Sequence, residues 1–488
     1  MSEYINALMI CLQPINLLLI VAMVSLGIVF GAIPGLSATL GIALLLPVTF
    51  GLSTETSFVL LLAIWIGGVS GTFISAVLIG IPGSSSAIAT CFDGFPMTKN
   101  GQAGKALGIG MTASFIGTVG SVALATVLSP VIADFALHLG PWEYFSLCFC
   151  AITLVASLSK GNIFKGIMAA GIGLLMGCIG MDPINGATRF TFGNVYLTAG
   201  ISTVAQMLGM FAMCQIIRDS AKGEASMPEA DVGTMKGLGV GFKDIIENIK
   251  TIVFAFASGV WIGFLPGMGS GISNMVAYGY AKSISKEPDS FGKGNPAGVW
   301  ASEVANNASL GGALIPMMAL GIPGDGITAM LIAGLTIHGL QAGPLFMTEQ
   351  PNLAMLIFAC VMVSAIVTYL IQIMTKRWFP YILKVPYHYL YTVILVICYI
   401  GGYGISNTMF NIYVMLALCF LAIFMSVAAL PTSPLVLAFI LSSKLERYFR
   451  QGISYAHGSY KEFFTRPLSA ALLLISVFCV IWPIYSEH

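Results

Sequence analysis

Gly31-Ala32-Ile33-Pro34-Gly35 is the stretch around which this chain is organised, because it places a Pro-Gly break inside apolar sequence. The break recurs three more times in variant form. The other copies are Gly80-Ile81-Pro82-Gly83, Gly263-Phe264-Leu265-Pro266-Gly267 and Gly321-Ile322-Pro323-Gly324. Proline and glycine interrupt helices. Two breaks in each half of a hydrophobic chain are the pattern expected of a transporter built from internal repeats, with unwound helices around a central site.

The composition places the chain in a lipid bilayer. Of its residues 57% are hydrophobic and 8% are charged, and the mean hydropathy is +0.92, so the charges are too few to cover a soluble protein of this size. Apolar runs long enough to cross about 30 Å of hydrocarbon recur, for example at 56–80, 353–375 and 468–484. We count roughly a dozen such spans. The runs do not alternate as barrel strands do, so we predict an all-α polytopic membrane protein.

Several other classes of protein are disfavoured. The formal net charge of +1 gives no basic field for nucleic acid. The ten cysteines form no CxxC or Cys/His cluster, and we interpret them as small packing residues. The chain has neither an HExxH nor a G-x-S-x-G motif, so we predict that it is not an enzyme and needs no cofactor.

Basic residues sort the loops into two sets, because Lys and Arg near span ends tend to stay cytoplasmic. The loops at 99–105, 160–165 and 218–250 are basic, whereas those at 134–143 and 182–194 contain only Arg189. This alternation predicts that the N-terminus is outside and that the second half starts inside. The two halves would then enter the membrane from opposite sides.

The spacing of landmarks predicts two repeats. Gly31 to Gly263 is an offset of 232, Gly80 to Gly321 is 241, and Gln102 to Gln341 is 239. With opposite entry sides, this predicts inverted-topology repeats with broken helices or re-entrant Pro-Gly hairpins. We divide the chain into a first transmembrane repeat at 1–222, a cytoplasmic linker at 223–248, a second repeat at 249–430, and an interfacial or re-entrant segment with a last span at 431–488.

The breaks are where binding chemistry is expected. Unwound backbone is tolerated in a membrane only where it is buried in protein or lines a wet cavity. Helices that start after a break point free N–H groups and a positive dipole end at an anion. We therefore predict a substrate site from the breaks and the residues that follow them: Pro34, Gly35, Ser37, Thr39, Gly83, Ser84, Ser85, Ser86, Pro266, Gly267, Ser270, Ser273, Gly324 and Thr328. The alternative is that the breaks only kink helices and that the small hydroxyl residues allow close packing.

A polar group inside one apolar run breaks the symmetry of the repeats. Asn306 and Asn307 follow Glu303 in Ser-Glu-Val-Ala-Asn-Asn-Ala-Ser, and the positions 241 residues earlier are Leu62, Trp65 and Ile66. Polar groups in a span are costly and usually face a functional interior. We predict that Asn306 and Asn307, together with Asn274 and Asp325, bind a coupling cation such as Na⁺. A hydrogen-bonded clamp between helices is the alternative for the asparagine pair.

Four long motifs resemble the large membrane subunit (TctA type) of the bacterial tripartite tricarboxylate transporters. They are GAIPGLSATLGIALLLPVTFGL, IPGSSSAIATCFDGFPMTKNGQAGKAL, GFLPGMGSGIS and EVANNASLGGALIPMMALGIPGDGITAMLIAGLTIHGLQAGPLF. The resemblance runs over essentially the whole chain. It implies a repeat and hairpin plan similar to that of elevator-type transporters, and uptake of citrate-like carboxylates across the bacterial inner membrane, driven by Na⁺ or H⁺.

The resemblance also implies two partners, a small membrane subunit (TctB type) and a periplasmic solute-binding protein (TctC type). The outside face deduced from charge would then be the periplasm. One asymmetry stands out, because Ser84 follows the break in the first half whereas Asp325 follows it in the second. We expect Asp325 to serve the cation or to lie off the substrate path. An anion channel is a competing function, and an intramembrane hydrolase a weaker one.

Overall fold

A computed structural model describes residues 2–158, 163–182, 184–221, 239–383 and 387–486. In this part of the chain the fold is almost entirely helical, which confirms the predicted all-α class. The α-helices up to the predicted linker are α1 Ser2–Cys11, α2 Pro14–Ala32, α3 Ala38–Leu45, α4 Thr54–Gly71, α5 Phe73–Ile79, α6 Ile88–Lys99, α7 Ala103–Leu137, α8 Pro141–Leu158, α9 Ile163–Gly177, α10 Thr203–Met207 and α11 Cys214–Ala221. A π-helical segment, Leu208–Met213, joins α10 to α11.

Between residues 239 and 486, leaving aside 384–386, the structure describes thirteen further α-helices. They are α12 Phe242–Glu247, α13 Ile249–Phe264, α14 Gly269–Ile284, α15 Pro296–Leu320, α16 Gly326–Ile337, α17 Pro344–Glu349, α18 Pro351–Thr375, α19 Phe379–Ile382, α20 Tyr387–Gly404, α21 Met409–Val427, α22 Thr432–Tyr455, α23 Lys461–Thr465 and α24 Pro467–Ser486. Two short antiparallel strands, β1 Gly180–Met181 and β2 Thr188–Arg189, pair Gly180 with Arg189. Residues 223–238 of the predicted linker lie outside the described residues.

Five helical segments of the described chain are long and apolar enough to cross a membrane. They are Pro14–Ala32, Thr54–Ile79, Ala103–Leu137, Pro351–Ile382 and Met409–Val427. Seven further apolar helices are shorter, at 10 to 17 residues. The chain is therefore a multi-pass membrane protein.

The two halves present their helices in the same order around the breaks. In the first half, α2 and α3 flank the first break, and α4–α5 and α6 flank the second. In the second half, α13 and α14 flank the third break, and α15 and α16 flank the fourth. In both halves the helix before the first break packs on the helix before the second, α2 on α4 and α13 on α15. Glycine makes both contacts possible, because a Cβ at Gly31 would lie 2.0 Å from the Gly68 carbonyl oxygen, and one at Gly263 would lie 2.3 Å from that of Ser309.

The halves are interlocked. The long helix α7 of the first half packs along α15 of the second, and α18 of the second half packs on α4 of the first. A separate hydrophobic cluster is formed by α8, α9 and α22, and Ile322 of the fourth break is buried in it. The third break reaches the same group of helices, since a Cβ at Gly267 would lie 2.0 Å from Cγ2 of Val155 on α8.

Ion pairs and loop contacts define two ends of the molecule. At one end, which we call the Lys105 face, Lys105 pairs with Asp244 at 3.0 Å. At the other, the Asp182 face, Asp182 pairs with Arg450 at 2.7 Å, and Glu143 pairs with Arg466 at 3.3 Å. Helix α7 runs 35 residues between the two faces, about 52 Å. The grouping of 99–105 with 239–250, and of 134–143 with 182–194, agrees with the sorting of loops by charge.

Candidate functional site

The two breaks of each half lie against one another. In the first half the N–H of Gly83 donates to the carbonyl oxygen of Thr72 at 3.3 Å, at the kink between α4 and α5, and Gly83 also packs on Gly31. In the second half the N–H of Gly267 donates to the carbonyl oxygen of Gly324 at 2.6 Å. Each half therefore contributes one pair of joined breaks.

Helix α14 brings the two pairs together. A Cβ at Gly271 would lie 3.1 Å from Oγ of Ser85, in the second break, and one at Gly269 would lie 3.2 Å from Cβ of Asp325, just past the fourth. Both glycines belong to the first turn of α14, which starts immediately after the third break. Three breaks thus converge on the N-terminus of one helix, and the first is joined to them through Gly83.

The predicted substrate residues divide into two groups by exposure. Ser85 is exposed, and the partly exposed members are Pro34, Gly35, Ser37, Thr39, Ser84, Pro266, Gly267 and Ser270. The buried members are Gly83, Ser86, Ser273, Gly324 and Thr328. The Ser273 hydroxyl donates to main-chain oxygens of Ser270 and Ala305, both at 3.1 Å. A ligand entering between the breaks would meet the first group, while Ser273 already has protein partners.

Two of the hydroxyls cap helices. Ser37 Oγ accepts from the N–H of Leu40 at 3.2 Å at the start of α3, and Ser84 Oγ accepts from the N–H of Ser86 at 3.3 Å. Ser84 also shares a 2.7 Å hydrogen bond with the Ser86 hydroxyl. N-capping explains why serine follows each Pro-Gly break in the first half.

Asn274 connects the halves and was predicted to bind the cation. Its Oδ1 accepts from the N–H of Ala89 at 3.3 Å, and its Nδ2 donates to the carbonyl oxygens of Ser85, Ser270 and Gly271. The amide is buried and all its recorded partners are protein groups. Asn274 lies at the second and third breaks, on α14, and not beside Asp325.

Asp325 caps helix α16. Its Oδ1 accepts from the N–H of Thr328 at 2.8 Å, and Thr328 Oγ1 accepts from the N–H of Asp325 at 2.9 Å, which completes a capping box. Ser84, 241 residues earlier, occupies the same capping position after the second break. The acidic residue that distinguishes the second half therefore has a local structural partner.

Glu303 is the centre of a buried polar network on α15, and its side chain is fully shielded from solvent. Thr90 of α6 donates a short hydrogen bond to Oε1, and Ser114 of α7 donates to Oε2 at 3.4 Å. Both asparagine amides also donate to Oε2, at 3.3 Å from Asn306 and 3.4 Å from Asn307. These donors are neutral, so the carboxyl group has no basic partner among the described residues.

Asn307 and Asn306 differ in their partners. Asn307 Oδ1 accepts from Ser70 of α4 at 3.0 Å and from Thr118 of α7 at 3.3 Å, and its Nδ2 donates to Ser114 at 2.9 Å. These are the contacts of an interhelical clamp. A small cavity lined by Ser70, Ser114, Thr118, Thr368 and Gln372 adjoins them.

Asn306 carries an unused acceptor. Its Oδ1 is buried and has no hydrogen-bond partner within the part of the chain that the structure describes. On α15 it shares a face with Ser302, which contacts Thr90 of α6, and Ala313, which lies against Gly324 of the fourth break. Asn306 thus lies on the face of α15 that contacts α6 and the fourth break. In the described chain no three His, Cys, Asp or Glu side chains cluster to hold a metal. Beside the Asn306 amide lies one carboxyl group, that of Glu303.

Asp93 ties the two halves together at the Lys105 face. Its Oδ1 accepts from the N–H groups of Gly292, Gly294 and Asn295 at 2.8 to 2.9 Å, and its Oδ2 accepts from the hydroxyl of Tyr278 at 2.9 Å. The sequence Asp93-Gly94-Phe95-Pro96 is typical of a tight turn, but the segment lies inside α6. The proline is tolerated because it falls near the helix end, and Asp93 faces the opposite half.

Sequence reasoning also missed Lys444. This lysine lies in the middle of α22, and its Nζ donates to the carbonyl oxygen of Gly321, the first residue of the fourth break, at 2.8 Å. The signal was present in the sequence, since Lys444 directly follows a run of apolar and small residues at 435–443.

Comparisons with known proteins agree with the fold. Residues 17–437 match the model of the Tripartite tricarboxylate transporter TctA family. The chain is 32% identical over 470 residues to the "Uncharacterized 52.8 kDa protein in TAR-I ttuC' 3'region" of Agrobacterium vitis, covering 96% of this chain and 93% of that protein. It is 30% identical over 223 residues to the "Uncharacterized protein in TAR-II ttuC' 3'region" of the same organism, covering 46% of this chain and 92% of that protein. No solved structure matches the chain. The chain belongs to the tripartite tricarboxylate transporter TctA family and is a membrane transporter component.

Proposed function

We propose that the chain is the translocating subunit of an ion-coupled carboxylate uptake system in the bacterial inner membrane. It would work with a small membrane subunit and a periplasmic solute-binding protein. The Asp182 face would be periplasmic and the Lys105 face cytoplasmic, with the N-terminus outside. Family membership supports transport, and the convergence of the breaks on the N-terminus of α14 is the observation that carries the proposal for this chain.

The substrate would be a citrate-like di- or tricarboxylate held between the breaks. Helix N-termini after the breaks offer N–H donors and positive dipole ends to an anion. The exposed and partly exposed members of the predicted substrate set, which include Pro34 and Ser270, would contact it. Interlocked halves with one pair of breaks each are suited to inverted repeats that open to alternate sides.

The coupling ion would bind beside Asn306. Its free buried oxygen supports this assignment, because a buried acceptor without a partner is rare. Na⁺ would take oxygen ligands from Asn306 and nearby main chain, whereas a proton would be carried by Glu303. Asn307 and Asn274 would support the site, and Asp325 would act first as a helix cap.

Uptake of radiolabelled citrate into liposomes holding this chain and its small partner tests the proposal. We expect accumulation that requires an imposed Na⁺ or H⁺ gradient and rises when the binding protein is added outside. Preloaded unlabelled citrate should accelerate entry of label by counterflow. Entry without counterflow and without ion dependence would favour a channel and contradict the proposal.

A further inference from the structure

Two cations on α22, Lys444 at the fourth break and Arg447 one helical turn beyond it, have no acidic partner among the described residues. Neither forms an ion pair within the described residues, although their neighbours do. Glu446 pairs with Arg189 at 2.9 Å and with Arg450 at 3.1 Å, so the carboxylate nearest in sequence is already neutralised. The positive charge of this part of α22 is therefore uncompensated at two positions.

The surroundings make that charge costly at Lys444. The side chain is half-buried, and Leu441 and Leu445 flank it on the same helix within the cluster that also buries Ile322 and Cys148. Its ammonium group has three hydrogens and one recorded acceptor, the carbonyl oxygen of Gly321. An ammonium group among apolar side chains is stabilised most strongly by an anion.

The position of Lys444 connects it to the breaks. A Cβ at Gly321 would lie 2.7 Å from Nζ, so the ammonium group sits directly on the start of the fourth break. Three residues further, Gly324 accepts the hydrogen bond from Gly267 that joins the third and fourth breaks. Lys444 thus lies where the joined breaks meet the bundle of α8, α9 and α22.

Arg447 extends the site toward the Asp182 face. It is exposed and lies three residues after Lys444, so both side chains project from the same side of α22, with Cβ atoms about 5–6 Å apart. That spacing suits two carboxylate groups of one small acid. Arg189, Arg450 and Arg466 on the same face are occupied by Glu446, Asp182 and Glu143.

We infer that Lys444 and Arg447 form an anion-binding site for a di- or tricarboxylate at the entrance to the third and fourth breaks. Lys444 would bind one carboxylate beside Gly321, and Arg447 would bind a second nearer the Asp182 face. This inference rests on the proposed function for the identity of its ligand. Lys444 and Arg447 supply positive charge, whereas the predicted substrate residues at the breaks include no basic side chain.

Calorimetric titration of citrate into the purified full-length chain in detergent tests the site. We expect Lys444→Met to raise the dissociation constant about tenfold or more, because it removes the charged donor to one carboxylate. Lys444→Arg should stay within about threefold of the original affinity because it keeps the charge. Arg447→Gln should weaken citrate more than acetate, which has a single carboxylate.

Lys461→Gln is the matched control, since it removes an exposed positive charge near Arg466 without touching the fourth break. Thermal unfolding separates lost binding from lost folding. Unchanged citrate affinity in both Lys444→Met and Arg447→Gln, or an equal loss in Lys461→Gln, would overturn the inference.

The two proposals fail in different ways. If the unmodified chain takes up citrate and Lys444→Met takes it up with the same half-saturating concentration, the anion site is wrong and the transport proposal stands. If the unmodified chain takes up no carboxylate, the transport proposal is wrong. Sulfate then tests the anion site alone: it should raise the unfolding temperature of the unmodified chain but not of Lys444→Met, and equal protection of both would overturn the site.

Discussion

Gly83 packs so closely on the carbonyl oxygen of Gly31 that a Cβ added to it would lie 2.1 Å from that oxygen. The same contact occurs in the second half, where a Cβ at Gly324 would lie 2.9 Å from the carbonyl oxygen of Gly263. Gly83 and Gly324 are 241 residues apart, and Gly31 and Gly263 are 232 residues apart, which are the offsets between the repeats. The recurrence of the Pro-Gly break is thus matched by a recurrence of the contact between breaks.

We predict that Gly83→Ala disrupts the first pair of breaks. The new methyl group would meet a backbone oxygen that cannot rotate away, and overpacking of this kind costs about 1–3 kcal/mol. The unfolding temperature in detergent and the citrate uptake rate should both fall. Gly279→Ala is the control, because a Cβ at Gly279 meets nothing within 4 Å in the middle of α14. Equal effects of the two substitutions would contradict the close packing.

The asparagine pair on α15 should separate into a ligand and a clamp. Asn306→Ala removes an oxygen without a protein partner and a 3.3 Å hydrogen bond to Glu303, so we expect a smaller loss of stability than for Asn307→Ala, and an increase of about tenfold in the half-saturating ion concentration for uptake, the equivalent of ~1.4 kcal/mol. Asn307→Ala leaves Ser70 and Thr118 without their acceptor, and we expect a loss of stability of roughly 1–3 kcal/mol. The assignment is wrong if Asn306→Ala leaves ion dependence unchanged.

The positions of the breaks could be predicted from the sequence because Pro-Gly pairs and their offsets are visible in residue order. Pro34-Gly35 and its copies mark the helix ends correctly, and the asymmetry of Asn306 and Asn307 marks the polar network. The roles of particular side chains could not be predicted in this way. Asp325 forms its hydrogen bonds with Thr328, three residues later in the sequence. Lys444 and Gly321 are separated by 123 residues, and only the packing of α22 on the fourth break brings them together.

Capping and ion binding by Asp325 can be distinguished by substitution. Asp325→Ser should preserve the cap, as Ser84 does in the first half, and therefore keep both the unfolding temperature and the ion dependence of uptake. Asp325→Ala should lower stability by about 1 kcal/mol through loss of the cap. If Asp325→Asn leaves cation dependence unchanged, the residue has no cation role. Loss of ion coupling in a fully stable Asp325→Ser variant would instead support a direct role.

The Asp182 face should lose stability in acid. The N–H groups of Asn185 and Ile184 and the Arg450 guanidinium hold the pKa of the Asp182 carboxyl below its ordinary value. Because the pKa is lower in the folded chain, the stabilisation is complete above the unfolded value of about 3.9 and is lost as the pH falls through the folded value. The stability difference between the unmodified chain and Asp182→Asn should therefore be constant from about pH 7 to 5 and shrink below about pH 4.

Unfolding temperatures measured across that range check the prediction. Asp134→Asn removes an exposed carboxylate near the same face and is the control, with no such pH-dependent difference expected. A difference for Asp182→Asn that grows as the pH falls would contradict the assigned direction of the pKa.

An experimental structure with citrate and the coupling ion bound tests the central claim most directly. We predict citrate density between the second, third and fourth breaks, within contact of Ser84, Ser85 and Ser270. We also predict a separate ion peak within about 2.5 Å of Asn306 Oδ1, a distance typical of oxygen ligands to hard cations. Citrate bound outside the four breaks, with an empty position beside Asn306, would contradict it.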